Sequence, residues 1–294
     1  CKQDKENYIE KIIVEIYNDR KWTKNNIKIL ISNTRTIPKN LRKKYKGEII
    51  ISYKNGSLCV LKAKIRQNGD FKDHIIYFNN SVKQSLDVSL TNGNLGGITK
   101  FKLLLDGTRG SSEDEIFLTE LFREMGFISP RTQFVDAYVN GVKSTMLLQE
   151  KSAKEMLEYN DRIESAIFES NENDFFKSLE KFANNNLTDD EIGFNAILDK
   201  TTMGQLARQI NSKWSLKGPI HLEISLRALS NLNLVYINAL NNLKPNLNNN
   251  IFNDNFDNTL LGKQNKDNII KIDKFKLILK AANADHALEA NNRT

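Results

Sequence analysis

Apolar positions in the first half of the chain come in short runs, each closed by a cluster of Gly, Asn or Asp. Ile9, Ile12, Ile13, Ile16 and Tyr17 recur at helical intervals, which predicts a helix over Tyr8–Tyr17. Extended segments are expected at Asn26–Ser32 and Gly47–Tyr53. The second closes on Lys54-Asn55-Gly56, a hairpin signal because Asn and Gly tolerate positive φ, and Ser57–Arg66 is its partner strand. After a turn at Gln67-Asn68-Gly69-Asp70, one strand is predicted over Lys83–Leu90, with Leu86, Val88 and Leu90 on one face. Another is predicted over Thr99–Leu105.

A helix is expected from Ser112 to Met125. Ser112 and Glu115 stand three apart as in a capping box, Ile116, Phe117, Leu121 and Phe122 form its apolar stripe, and Gly126 ends it. Gln133–Val139 and Lys143–Leu148 read as a second hairpin about Asn140-Gly141. Beyond Glu150 the period turns helical, over Ala153–Tyr159, Asp174–Asn184, Asp189–Arg208, Leu222–Leu243 and Ile269–Ala282. The Asn-rich tract Pro245–Asn268 reads as a surface excursion. The expected class is α+β, with a sheet-rich region and one helix over 1–150 and a mainly helical region over 151–294.

Composition narrows the function classes. A hydrophobic content of 39% is enough for a packed core. No run approaches the roughly 18–20 apolar residues of a membrane helix. The net charge of +7 has much of its excess in the first 50 residues, including Arg42-Lys43-Lys44-Tyr45-Lys46. Such a cluster is either a solvated face or a site for anionic partners. Basic residues are not interleaved with aromatics at groove-binding positions, so nucleic acid is not an expected partner. The two cysteines cannot make a disulfide framework or a zinc site, and Cys59, inside Leu58-Cys59-Val60-Leu61, is expected as a buried core thiol. Cys1 followed by Lys-Gln-Asp-Lys has two readings, a lipid-anchored mature N-terminus or a chain that simply starts there.

Phosphoryl transfer needs a cation on the phosphates, a carboxylate to hold that cation, and Asp or Asn groups for Mg²⁺. Lys83 at the start of its strand is a candidate phosphate lysine. Of the helix carboxylates Glu115, Glu120 and Glu124, Glu120 lies nearest the apolar stripe and is the one expected to point inward; a solvated acidic face is the plainer alternative. Asp285 followed by Asn291 and Asn292 has the order of a catalytic loop. His286 is either a base or a structural hydrogen-bonding residue. The stretch Arg66–His74 is either a surface turn or a phosphate-facing loop using Arg66 or Lys72. Walker A, Gly-x-Gly-x-x-Gly, His-Glu-x-x-His and Gly-x-Ser-x-Gly patterns are absent from the sequence.

The segments Ala63–His74, Lys83–Leu90, Phe101–Leu105, Gly126–Arg131, Val139–Gly141, Leu147–Glu158 and His286–Arg293, in that order, resemble the CotH family of spore-coat-type atypical protein kinases. The likeness covers roughly residues 45–170 and 275–294, and order rather than any one motif is its specific part. It implies a kinase-like fold, a sheet-rich N-lobe with one inserted helix and a helical C-lobe, and Mg²⁺- and ATP-dependent phosphorylation of Ser or Thr in a protein substrate. Carried over, Arg66 and Lys83 would contact nucleotide, Glu120 would be the helix partner, and Glu150 would lie at the hinge. Asp285 would be catalytic and, with Asn292, bind metal. The family's second metal-binding Asp lies farther on than Thr294, so the expectation is a C-terminally truncated member with weak or no phosphotransfer alone. The alternative is a non-catalytic surface or adhesion module on the same scaffold, with a glycan-processing role third. The family and Cys1 together lean toward the cell envelope.

Overall fold

Strand alternation builds most of the first half. In the computed structural model, which describes residues 9–34, 36–108, 112–170, 207–242 and 266–282, the chain forms two compact units, Cys1–Glu164 and Ser165–Thr294. The first contains β1 (Ile9–Ile16), α1 (Asp19–Ile31), β2 (Tyr45–Tyr53), β3 (Leu58–Gln67), β4 (Ile75–Phe78), β5 (Ser81–Gln84), β6 (Leu86–Leu90), β7 (Lys100–Leu105), α2 (Ser112–Glu124), β8 (Thr132–Val139), β9 (Val142–Glu150) and α3 (Lys154–Tyr159). Strand β3 shows the rule: Leu61, Ala63, Ile65 and Gln67 are buried, while Lys62, Lys64 and Arg66 turn outward.

Seven strands close into a barrel in the order β1-β2-β3-β6-β7-β9-β8. Every pairing is antiparallel except the closing one, where β1 runs parallel to β8 from Lys11↔Asp136 to Val14↔Val139. Ile12, Ile49, Ile51, Ile65, Phe101 and Leu103 are fully buried in one interior cluster. The two Asn-Gly turns differ. At β8–β9 Asn140 and Gly141 both have positive φ, 45° and 84°, and join Val139 directly to Val142. At β2–β3 only Gly56 is left-handed (80°), and Tyr53 closes a three-residue loop by donating to Ser57.

Three expected elements are corrected. Tyr8–Tyr17 holds strand β1, not a helix: Ile12, Val14 and Ile16 face the core while Ile13 lies half-buried outside. The expected strand over Asn26–Ser32 is instead the second half of helix α1 with Ser32 as its C-cap, and the helix's buried positions Trp22, Asn25, Asn26 and Ile29 follow a helical period. Lys83–Leu90 is two strands, β5 and β6, broken at fully buried Ser85; its N–H donates to His74 O and its hydroxyl accepts from Leu105 N. Cys59 is partly buried and disulfide-bonded, not a buried core thiol.

The second unit contains the two-stranded pair β10 (Phe168–Ser170) and β11 (Ala207–Gln209), then α4 (Ser212–Ser215), α5 (Pro219–Asn242) and α6 (Lys266–Ala281). Its polar knot joins Ser215 to Ser225 and to Gln209 Oε1, each at 2.7 Å. The helices expected over Asp174–Asn184 and most of Asp189–Arg208, and most of the Pro245–Asn268 tract, lie outside the described residues. Among the described residues no helix is long and apolar enough to cross a membrane.

Candidate functional site

The outward residues of five neighbouring strands fall into one straight polar row. Arg66 of β3 is opposite Asp87 of β6, Asp87 is opposite Lys102 of β7, Lys102 is opposite Gln149 of β9, and Gln149 is opposite Thr132 of β8. The parity of each strand fixes this: Ile65, Leu86, Val88, Phe101, Leu103, Met146 and Leu148 fill the core, so their neighbours must face out. Asp87, Gln149 and Thr132 are nonetheless buried, because other elements cover the row.

Helix α2 covers one end. Thr119 is its buried polar anchor: its hydroxyl meets that of Thr132, and its carbonyl accepts from Ser129 Oγ at 2.7 Å. One turn earlier, Glu115 Oε1 accepts from Gln149 Nε2 at 2.6 Å, so a helix carboxylate reaches the row directly beside Lys102. Hairpin β4–β5 lies nearby, with β5 packed against β7 and β9.

At the other end Asp87 holds two cations. Its Oδ2 accepts from Arg66 Nη2 and Nε (2.7 and 3.0 Å) and from Lys151 Nζ (2.7 Å). Burial alone would push the Asp87 carboxyl up; the Lys151 and Arg66 charges and their hydrogen bonds outweigh it and hold the group below the ordinary carboxylate range.

The residues nominated from the sequence are scattered differently from expectation. Glu120 does not point inward; it is about half exposed (51%) and pairs with Arg123 at 2.5 Å. The stripe was misplaced because Phe117, counted as apolar core, is exposed, whereas buried Thr119 sets the inward face. Lys83 stands on β5 with its ammonium 5.7 Å from the Phe78 ring, and among the described residues it and Glu120 are not partners. Glu150 sits at the end of β9 under Arg131: Arg131 Nε and Nη2 donate to its two carboxylate oxygens at 2.8 and 2.7 Å, while Nη1 reaches Gly96 O. The Arg131 guanidinium also lies 4.1 Å from the Tyr159 ring centre, tying α3 to the barrel.

Lys72 serves structure. Its ammonium reaches the carbonyls of Leu30 and Ser32 at the C-terminal end of α1, and burial lowers its pKa. Arg42 pairs with Asp70, and Ile37 N donates to Asp70 O, so the Arg66–His74 stretch is sewn to the α1–β2 connection. Asp285, His286, Asn291 and Asn292 lie outside the described residues. Lys102 and Gln149 were not singled out, and Glu115 was set aside in favour of Glu120, because spacing along one segment does not mark them; strand register and the seating of α2 bring them together.

Neither the protein-family models nor the curated proteins give a match to this chain.

Proposed function

We propose that the chain is a CotH-like, kinase-like protein that binds ATP and transfers its phosphate to Ser or Thr of a protein, with the nucleotide phosphates held at the polar row. The observation that carries this reading is a strand lysine and a helix carboxylate brought to one residue: Lys102 lies across from Gln149, which donates to Glu115 of α2. Phosphoryl transfer is mostly positioning and electrostatics, and a strand lysine steadied by a helix glutamate is its recurrent phosphate clamp. The donor set suits a polyphosphate, since Lys102, Arg66 and Lys151 supply cations and Gln149 an amide. ATP supplies the transferable phosphoryl group. Within the row, Asp87 orients Arg66 and Lys151, and Glu115 orients the Gln149 amide. The residues proposed for Mg²⁺ are still Asp285 and Asn292.

The phosphate lysine of this reading is Lys102 and its helix partner Glu115, in place of Lys83 and Glu120. Equilibrium binding of Mg·ATP tests it. Lys102→Ala and Glu115→Gln are expected to weaken binding by about tenfold or more, one lost charge-assisted contact each, while Lys83→Ala and Glu120→Ala leave it unchanged. Absence of ATP binding in the unmodified chain would sink the reading; loss confined to Lys83→Ala would move the phosphates to the β4–β5 hairpin.

A non-catalytic binding module on this scaffold is the second reading. It is favoured by one feature: Asp87 already neutralises Arg66 and Lys151, so that end of the row is held together without a ligand.

A further inference from the structure

One row away from Arg66–Asp87–Lys102, the same outer wall is lined with lysines. Lys46 of β2 is directly opposite Lys64 of β3, Lys64 is opposite Ser89, and Ser89 is opposite Lys100 of β7. Lys62 lies two residues from Lys64 on the same side of β3, paired in register with Glu48. All four ammonium-bearing residues are exposed. Among the described residues no carboxylate forms an ion pair with any of them, and Glu48 accepts instead from Tyr17 Oη at 2.7 Å.

This arrangement opposes the sheet's own stability. Like charges directly across a strand pair repel, and Lys46 against Lys64 is such a pair. Neighbouring strands are about 4.8 Å apart and alternate residues along a strand about 6.8 Å apart, so the four lysines cover a field roughly 15 Å by 7 Å. An extended peptide presents alternate side chains at the same ~6.8 Å interval.

The geometry points to a docking face for an acidic, extended segment of a partner protein. Three features select that class. One exposed aromatic, Tyr17, borders the rows with its hydroxyl on Glu48, so the field lacks the succession of aromatic platforms on which nucleic-acid bases stack. The face is the convex wall of a closed barrel, which a planar bilayer touches along a line and a flexible segment can follow. Leu58 and Val60, exposed farther along the outward side of β3, add an apolar end, so carboxylates followed by apolar residues fit best. Lysine's compact, mobile charge suits clustered carboxylates. The binding itself does not depend on phosphotransfer; on the phosphotransfer reading it places an acceptor protein beside Lys102, because Lys100 and Lys102 are alternate outward residues of one strand.

Fluorescence anisotropy with a labelled deca-glutamate peptide tests the face on the full chain. The unmodified protein is expected to bind, more weakly as salt screens the charges. Replacing Lys46, Lys62, Lys64 and Lys100 together by Gln is expected to weaken binding about tenfold or more, since several exposed pairs are lost at once. The matching fourfold replacement by Arg keeps the charge and is expected to retain binding, which separates loss of charge from loss of fold. Equal binding by the Gln variant, or no binding by the unmodified chain, overturns the proposal. So does tighter binding of an oligodeoxynucleotide of equal charge, or of phosphatidylserine vesicles, than of the peptide. Mg·ATP binding is measured on the same Gln variant and is expected to be unchanged. A chain that binds peptide but no nucleotide loses the phosphotransfer reading and keeps the face.

Discussion

Arg131 and Glu150 close on each other where β8 begins and β9 ends, with two parallel hydrogen bonds of 2.8 and 2.7 Å and a carboxylate only 1% exposed. The pair is also linked through the backbone, since Glu150 N donates to Arg131 O at 2.9 Å. Removing Glu150 leaves the Arg131 guanidinium, itself largely covered, without its carboxylate. Glu150→Ala is therefore expected to destabilise the first unit by about 3–5 kcal/mol, read as a lower urea midpoint. A stability change under ~0.5 kcal/mol would show that Glu150 is not the strut the geometry describes.

Asp87 carries the pH dependence of the row. Its folded pKa is depressed, so its contribution to stability is complete above the unfolded carboxylate value of about 4 and is lost as pH falls through the lower folded value. Asp87→Asn is expected to remove that acid-side dependence and to cost about 2–3 kcal/mol near neutral pH, less than a fully buried pair because Arg66 is 36% exposed. Denaturant titrations at neutral pH and below pH 4 check both parts. An unchanged acid-side slope in the variant would remove Asp87 as the source.

Gly69 lies in the turn that follows β3, and its role is steric. Its φ is +98°, and a Cβ there would overlap the His74 ring. His74 in turn holds Ser85 Oγ at 3.2 Å, the hydroxyl that accepts Leu105 N. Gly69→Ala is expected to lose about 2–4 kcal/mol from backbone strain plus overpacking. Thermal unfolding of the variant against Gly56→Ala, where the positive φ is the same kind but the space is open, isolates the packing part; equal losses would contradict it.

Glu115 and Glu120 make a sharper pair of controls than their spacing implied. Glu120→Ala is expected to change stability by less than ~0.5 kcal/mol, an exposed i,i+3 pair being worth little. Glu115→Ala leaves the Gln149 amide short of an acceptor beneath α2 and is expected to cost about 1–3 kcal/mol. Chemical denaturation of the two variants side by side gives the comparison, and a reversed order would mean α2 lies on its other face.

Local chemistry was readable where a short-range rule decided the outcome. The β2–β3 and β8–β9 hairpins were legible because Asn-Gly turns limit the backbone, and α2 because Gly126 and its acidic first turn mark its ends. Strand β1 was hidden because one outward position is apolar: Ile13 pairs in register with Ile50 outside, between Ile12 and Val14 of the core, and so breaks the alternation that Glu10, Lys11 and Glu15 would otherwise leave visible. Helix α1 was hidden by the opposite fault, since Asn25 and Asn26 occupy its buried face, where they donate to Leu41 O and Gln84 Oε1. The polar row could not be seen at all from spacing, because residues 66, 87, 102, 132 and 149 become neighbours only through strand register.

The parallel contact of β1 with β8 settles how the first unit avoids its own kind. With β1 inserted between β2 and β8, none of the seven strands offers an unpaired backbone edge. Without it, β2 and β8 would each expose a row of N–H and C=O groups, a template for strand addition from another molecule. The hairpins form from near neighbours in sequence, whereas β1–β8 joins the start of the unit to its far side, so chain entropy makes it a late event in folding. Until that strand arrives the unit is an open sheet, exposed to self-association, and a few residues at one end act as the lock.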